Sequence, residues 1–230
     1  MTTILAMKNI SKAFSTKPIY INTSFDFKKG CYAIVGPNGA GKTILLEMLA
    51  GVLQQDNGSI IFSDTDLNTS IEYKQKLVYV PCKSLFFPIA TGEEFLSFIL
   101  SVKNTDNMSC EKLNGLIEDF KLTPHLHSKF KDMSLGTQKK LFLSTLAIGN
   151  NSLIILDEPT NGLDKESSEL LCEWLIELSK NSIVILTTHD QLLLKAISPT
   201  IIKLQSSPTM HFEKHNVYRY DDAEHILQFH

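Results

Sequence analysis

Arginine is all but missing from this chain. Arg219 is the only one among 22 basic side chains, and the others are lysines. A mechanism in which the chain itself places an arginine beside developing negative charge has one candidate, near the C-terminus, which argues against it. A basic excess is missing as well. The formal net charge is −3, so the charge balance gives no reason to expect nucleic acid as a partner. Paired cysteines are missing: Cys31, Cys82, Cys110 and Cys172 are scattered, none at CxxC spacing. That pattern reads as reduced thiols in a cytosolic protein rather than a disulfide frame. Long apolar runs are missing too. FLSFIL at 95–100 is far short of the ~20 residues that cross a bilayer, and charge comes too early and too often in MTTILAMKNISKAF for a secretory leader. Two histidine pairs, His125 with His127 and His211 with His215, have no cysteine or carboxylate at ligand spacing and are expected to be solvent-exposed.

What is present suits a globular protein with a real core. The chain has 230 residues, 43% of them hydrophobic, enough for one domain or two small subdomains. Residues 2–7, 19–27, 31–36, 58–63 and 76–81 read as strands. TILLEMLAGVL at 43–53 has helical spacing. Between 92 and 131 apolar residues recur three and four apart, which predicts a helical block. Beyond it, SLIILDEP at 152–159, SIVILTTH at 182–189 and TIIKL at 200–204 are apolar strands, with a helix from Lys165 carrying Leu170, Leu171, Trp174, Leu175 and Leu178 on one face. Apolar strands separated by helices imply a mostly parallel sheet covered on both faces, an α/β fold into which the helical block is inserted.

Two stretches carry chemistry. GPNGAGKT at 36–43 matches the phosphate-loop pattern G-x-x-x-x-G-K-[ST], and it lies between a strand and a helix, as such a loop must. Gly36, Pro37, Asn38, Gly39, Ala40 and Gly41 would wrap their backbone N–H groups around phosphate oxygens at a helix N-terminus. Lys42 would reach the β and γ phosphates, and Thr43 would offer its hydroxyl to Mg²⁺. LIILDEP at 153–159 brings two acids to the carboxyl edge of the sheet, where ligands of such sheets bind. Asp157 is expected to hold Mg²⁺, and Glu158 to position or deprotonate an attacking water.

The order GPNGAGKT, MSLGTQKK (133–140), LIILDEP, NGLD (161–164) and TTHD (187–190) resembles the nucleotide-binding subunit of an ATP-binding cassette (ABC) transporter, from about residue 4 to about 205. The resemblance implies a P-loop NTPase core at 31–81 and 140–205, an N-terminal antiparallel β subdomain and an inserted helical subdomain at about 83–139. It leaves 206–230 as an extension, expected to form a last strand pair and a short helix. It implies ATP and Mg²⁺ as ligands, and a head-to-tail pair of subunits, a homodimer on the simplest reading. Ser134 and Gly136 would cap the γ-phosphate of the partner, which removes the need for an arginine. His189 would contact the γ-phosphate, Asp164 would face across the dimer, and Phe14 would stack on adenine. The signature departs from the family at Leu135, often Gly there, and at Thr137, often Gln.

Cys82, in VYVPCKSLFFP, falls on a glutamine of the family that reaches Mg²⁺ and the attacking water. A neutral thiol is shorter and a poor ligand for a hard cation, so the resemblance implies a slower ATPase rather than a dead one. Phe86 and Phe87 follow in a loop that the family sets beside the permease; the same residues also fit core packing. The resulting reading is an ATP-hydrolysing subunit on the cytoplasmic face of a membrane, held there by an integral membrane permease and leaning towards export, with no nucleic-acid partner. The alternatives are a soluble ABC-type ATPase acting on a macromolecular machine, and a nucleotide-dependent binding module with weak hydrolysis.

Overall fold

A computed structural model describes residues 4–63, 65–66, 71–83, 86–103, 105, 107–204 and 217–220. Two sheets organise it. β1 (Ile4–Phe14), β2 (Lys17–Lys28), β4 (Asn57–Phe62) and β5 (Thr65–Asp66) form an antiparallel sheet in the order β2-β1-β4-β5. β3 (Gly30–Val35), β6 (Leu77–Val80), β7 (Leu153–Asp157), β8 (Ile183–Thr187), β9 (Thr200–Lys203) and β10 (Val217–Arg219) form the second, in the order β10-β9-β3-β8-β7-β6. All its pairings are parallel except β10 on β9. This is the expected mostly parallel α/β core beside an antiparallel β layer.

The apolar runs have a direct explanation. Side chains alternate across a strand, and both faces of the parallel sheet are covered. Ile154 and Leu156 of β7, with Val184 and Leu186 of β8, pack into a core with α6 (Lys165–Ser179) through Leu171 and Leu175. Their neighbours Leu153, Ile155, Ile183 and Ile185 pack the opposite way, with Leu45, Leu46 and Leu49 of α1 (Lys42–Leu49) and with Leu5, Met7 and Ile60 of the antiparallel sheet. A strand with two buried faces has no polar positions to show, so it reads as a continuous run.

The helical block resolves into α3 (Gly92–Lys103) and α4 (Asn107–Asp119), then two 3-10 turns, and α5 (Leu135–Ser144). α1 ends at Leu49, four residues before the periodicity does. α2 (Ile71–Lys76) and α7 (Gln191–Ile197) were not legible as helices in the sequence. Of the C-terminal extension the structure describes 217–220; β10 supplies an edge strand, and the expected short helix lies outside the described residues. Phe86 and Phe87 separate. Phe86 packs against Phe95 at 4.8 Å and Phe130 at 5.2 Å between ring centroids, while Phe87 is 71% exposed. Phe86 is half-buried against the core, and Phe87 meets its ring edge-on at 5.2 Å from the solvent side.

Parallel pairing decides where the site lies. Ile34 and Asp157 both stand level with Thr187, and Val80 with Leu156. The carboxyl ends of β3, β8, β7 and β6 therefore form one row. The phosphate loop, Thr187, Asp157 with Glu158, and Cys82 follow one another along that edge.

Candidate active site

The loop 36–41 leaves β3 and closes onto the N-terminus of α1. Gly36 admits no side chain, because a Cβ there would lie 2.6 Å from the Leu204 carbonyl oxygen. Leu204 is held in place by its own N–H, which donates to the Val35 carbonyl at 2.7 Å. Gly41 occupies the N-cap of α1 and offers no side chain to the first-turn N–H groups, which leaves them directed at whatever the loop encloses. The Tyr20 hydroxyl donates to the Gly41 carbonyl at 3.0 Å and fixes the outer end of the loop. The Lys42 ammonium folds back over the loop and donates to the carbonyls of Gly36 at 2.7 Å and Pro37 at 3.2 Å. Burial lowers its pKa, while Glu158 and Asp157 oppose the fall.

The acids are held by short hydrogen bonds. Thr43 Oγ1 donates to Asp157 Oδ2 at 2.8 Å, and Thr187 Oγ1 donates to Asp157 Oδ1 at 2.5 Å. Thr187 also accepts from the Glu158 N–H, at 3.1 Å to its hydroxyl and 3.2 Å to its carbonyl. These bonds hold Glu158 at φ 46°, a left-handed conformation costly for a non-glycine residue and typical of functional sites. The Glu158 side chain meets His189, with Oε1 3.4 Å from Nε2 and Oε2 accepting from the His189 backbone N–H at 3.3 Å. Burial raises the Glu158 pKa; His189 opposes the rise and the nearby Asp157 adds to it.

These groups share one cavity of about 280 Å³, lined by Asn38, Gly39, Ala40, Gly41, Lys42, Thr43, Ile44, Cys82, Asp157, Glu158 and His189. Ten of the residues expected from the sequence, from Asn38 to Thr43 together with Cys82, Asp157, Glu158 and His189, thus meet in space. A neighbouring cavity of about 520 Å³ touches Gly36, Pro37, Asn38 and His189 from the other side. The donors towards a cation are hard oxygens, from Thr43 and Asp157 at the cavity floor. They suit Mg²⁺, which takes one or two protein ligands and completes its shell with substrate phosphate and water. Cys82 lies on the wall as an exposed thiol.

Phe14, Ser134, Gly136 and Asp164 line neither cavity. Phe14 ends β1, 47% exposed, with Lys12 Nζ 5.4 Å from its ring centre. Ser134 caps α5 and accepts from the Thr137 N–H at 3.1 Å. A Cβ on Gly136 would lie 2.4 Å from the Gly162 carbonyl oxygen, so glycine here lets α5 press against the NGLD loop of the same chain. Asp164 caps α6, accepting from the Ser167 N–H at 2.9 Å, and pairs with Lys140 Nζ at 2.6 Å. The Lys140 hydrogen bond, chiefly, holds its carboxyl well below the usual carboxylate range. His127 pairs with Glu93 at 3.1 Å, while His211 and His215 lie outside the described residues. Sequence reasoning missed Thr187, Lys140 and Tyr20. Thr187 had a signal: it stands two places before His189, and parallel register sets it level with Asp157.

A family model described as "ABC transporter" matches residues 20–161, more than half of the chain. A second, described as "AAA domain, putative AbiEii toxin, Type IV TA system", matches 128–195. An uncharacterised ABC transporter ATP-binding protein of Bacillus subtilis, YdbJ, is 32% identical over 81% of this chain and 61% of its own length. The molybdate/tungstate import ATP-binding protein WtpC of Methanocaldococcus jannaschii is 30% identical over 81% and 63%. The cytochrome c biogenesis ATP-binding export protein CcmA of Reclinomonas americana is 32% identical over 83% and 87%. The chain thus spans about three fifths of the first two and most of the third. Among solved structures, an ATP-binding subunit of an ABC transporter superposes with a TM-score of 0.85 at 22% identity, covering 97% of this chain and 92% of that one. The cassette MJ0796, in a dimeric post-hydrolysis state with ADP and Pi, superposes with a TM-score of 0.77 at 21% identity, covering 94% and 98%.

Proposed function

The chain belongs to the ABC transporter family, and on that premise we propose that it binds and hydrolyses ATP with Mg²⁺ to drive a separate membrane permease. The observation that carries the reading is the shared cavity: a phosphate loop, Thr43 bonded to Asp157, and a buried-side Glu158 against His189. Thr43 and Asp157 would hold Mg²⁺, which would supply positive charge to offset that of the phosphates.

The chain's own groups do the rest. The first-turn N–H groups of α1 and the Lys42 ammonium orient the β and γ phosphates. Glu158 accepts a proton from water as that water attacks the γ-phosphorus in line, a role its raised pKa suits, since a base works best near the working pH. His189 holds the Glu158 carboxylate and faces the departing phosphoryl group. Lys42 and His189 stabilise charge on it, and no step needs an arginine. Cys82 offers no amide at the cavity wall, so a water takes that place and turnover is slowed.

The remaining charge stabilisation comes from a second copy. Ser134 and Gly136 stand at a helix N-terminus that faces outward and touches neither cavity of their own chain, as a trans cap requires. Phe14 stacks on adenine, and Asp164 presents the NGLD loop to the partner. The subunit lies on the cytoplasmic face through its permease. No helix among the described residues is long and apolar enough to cross a membrane. Relatives named for import and for export match at similar identity, 30% and 32%, so the lean towards export rests on the loose signature alone. The test is purification of the tagged protein from detergent-solubilised membranes of its native cell. An integral membrane protein in near-equal amount is expected. Recovery with ribosomes or nucleic acid instead would replace the transport reading with that of a soluble machine ATPase.

A further inference from the structure

Lys139 is buried where the reading above gives it no task. It lies on α5, five residues after the Ser134 cap, and only 3% of its surface is exposed. Taking an ammonium out of water is costly unless charge or hydrogen bonds compensate. No described carboxylate forms an ion pair with it. Its ammonium donates instead to two backbone carbonyls, Pro81 at 2.8 Å and Cys82 at 3.0 Å. Burial lowers its pKa, and the nearby carboxylates Asp157 and Glu158 oppose the fall.

Those carbonyls are ones the sheet does not serve. The β6–β7 ladder ends with Val80 level with Leu156, so Pro81 and Cys82 lie just past the last pairing. The lysine does for the strand end what a neighbouring strand does inside the sheet. A methionine of similar volume would fill the space without the cost of a buried charge but would leave the two carbonyls without a donor. Packing alone therefore gives no reason for a lysine.

We propose that Lys139 is a positioning residue that ties the Cys82 wall of the phosphate cavity to the helix bearing Ser134 and Gly136. The tether joins the group lining this chain's own site to the group presented to a partner's site. A shift of α5 when a second copy closes on it is passed directly to the wall beside Glu158. This matters more here than where a long amide fills position 82, because the thiol is too short to find its own place. The proposal rests on the cassette-ATPase reading.

Cys82 is its own reporter. Alkylation of the full chain with iodoacetamide, resolved by peptide mass, gives its rate against that of Cys110, which is exposed on α4. Lys139→Met is expected to change the Cys82 rate about fivefold without nucleotide, and to lower kcat about tenfold with KM for ATP within about twofold. Lys139→Gln keeps an N–H donor for the carbonyls but no charge, and should return both the Cys82 rate and kcat to near the parent values. A Lys139→Met protein with parental Cys82 rate and kcat overturns the proposal. So does a Lys139→Gln protein whose kcat falls while its Cys82 rate stays parental, and this variant decides the matter even where Lys139→Met does not fold. A parent that hydrolyses no ATP would sink the ATPase reading, whereas the alkylation rates would still judge the tether.

Discussion

The floor of the phosphate cavity and the outward rim formed by the N-termini of α5 and α6 are built by different physics. On the floor, parallel strand ends in register set Thr187 beside Asp157, and hydrogen bonds of 2.5 and 2.8 Å fix both carboxylate oxygens. Asp157 and Thr187 are buried, and the polar groups of the floor satisfy one another. The rim is exposed: Leu135 is 81% accessible, and the parts are held by the Lys140–Asp164 ion pair and by the contact of Gly136 with Gly162. On the proposed reading the floor grips a triphosphate, and the rim, which lines neither cavity among the described residues, caps the site of a second copy.

The comparison can be broken most severely at the floor. Glu158→Gln should lower turnover by about 10²–10⁴-fold, the usual contribution of a general base, while ATP binding measured by nucleotide-analogue fluorescence persists. Parental turnover would remove Glu158 from the role. Thr187→Val keeps the shape but removes a donor to a buried carboxylate and an acceptor for the Glu158 N–H. A hydrogen bond to a charged group contributes roughly 1.5–3 kcal/mol, so kcat should fall on the order of 10–100-fold. Unchanged kinetics would show that the backbone at Glu158 holds its conformation unaided.

The pH dependence sharpens the same point. As a base, Glu158 works ionised, and burial raises its pKa. Activity should therefore fail on acidification at a pH above the ordinary glutamate value of about 4.3, and this limb should be absent from the residual activity of Glu158→Gln. For stability the sign is opposite. A carboxyl whose folded pKa is raised binds its proton more tightly in the folded state, so its contribution weakens as pH rises through the window between the ordinary and the raised value. A kcat limb in the ordinary carboxylate range would contradict the assignment. The smallest effect belongs to the wall: Cys82→Gln should leave turnover unchanged or raise it a few-fold, and a large fall would show that the thiol itself works.

The two regions also differ in how far the sequence revealed them. Gly36 to Thr43 and Leu153 to Glu158 act through neighbours along the chain, so their spacing alone announces the loop and the acidic strand. The residues that steady them come from elsewhere. Thr187 reaches Asp157 through strand register, Tyr20 reaches Gly41 from the antiparallel sheet, and Lys139 reaches Cys82 from α5. Of these only Thr187, two places before His189, had a sequence signal; the contacts of Tyr20 and Lys139 leave no local pattern. Phe86 and Phe87 show the same limit at short range, since two adjacent aromatics read alike until the fold buries one against Phe95 and Phe130 and leaves the other out. α7 was hidden for a different reason: it has only seven residues, too few for a period to show.

The most direct test of the divided site is complementation between two disabled copies. Lys42→Ala removes the phosphate grip of a chain, and Ser134→Glu sets a negative charge where its cap would meet a partner's γ-phosphate. Each protein alone should hydrolyse ATP poorly. Mixed in equal amounts, they form pairs in which an intact phosphate loop from one chain meets an intact Ser134 from the other, and ATPase activity should rise well above that of either alone. Activity equal to the average of the two, with mixed pairs shown to form, would mean that Ser134 serves its own chain and would contradict the division between floor and rim.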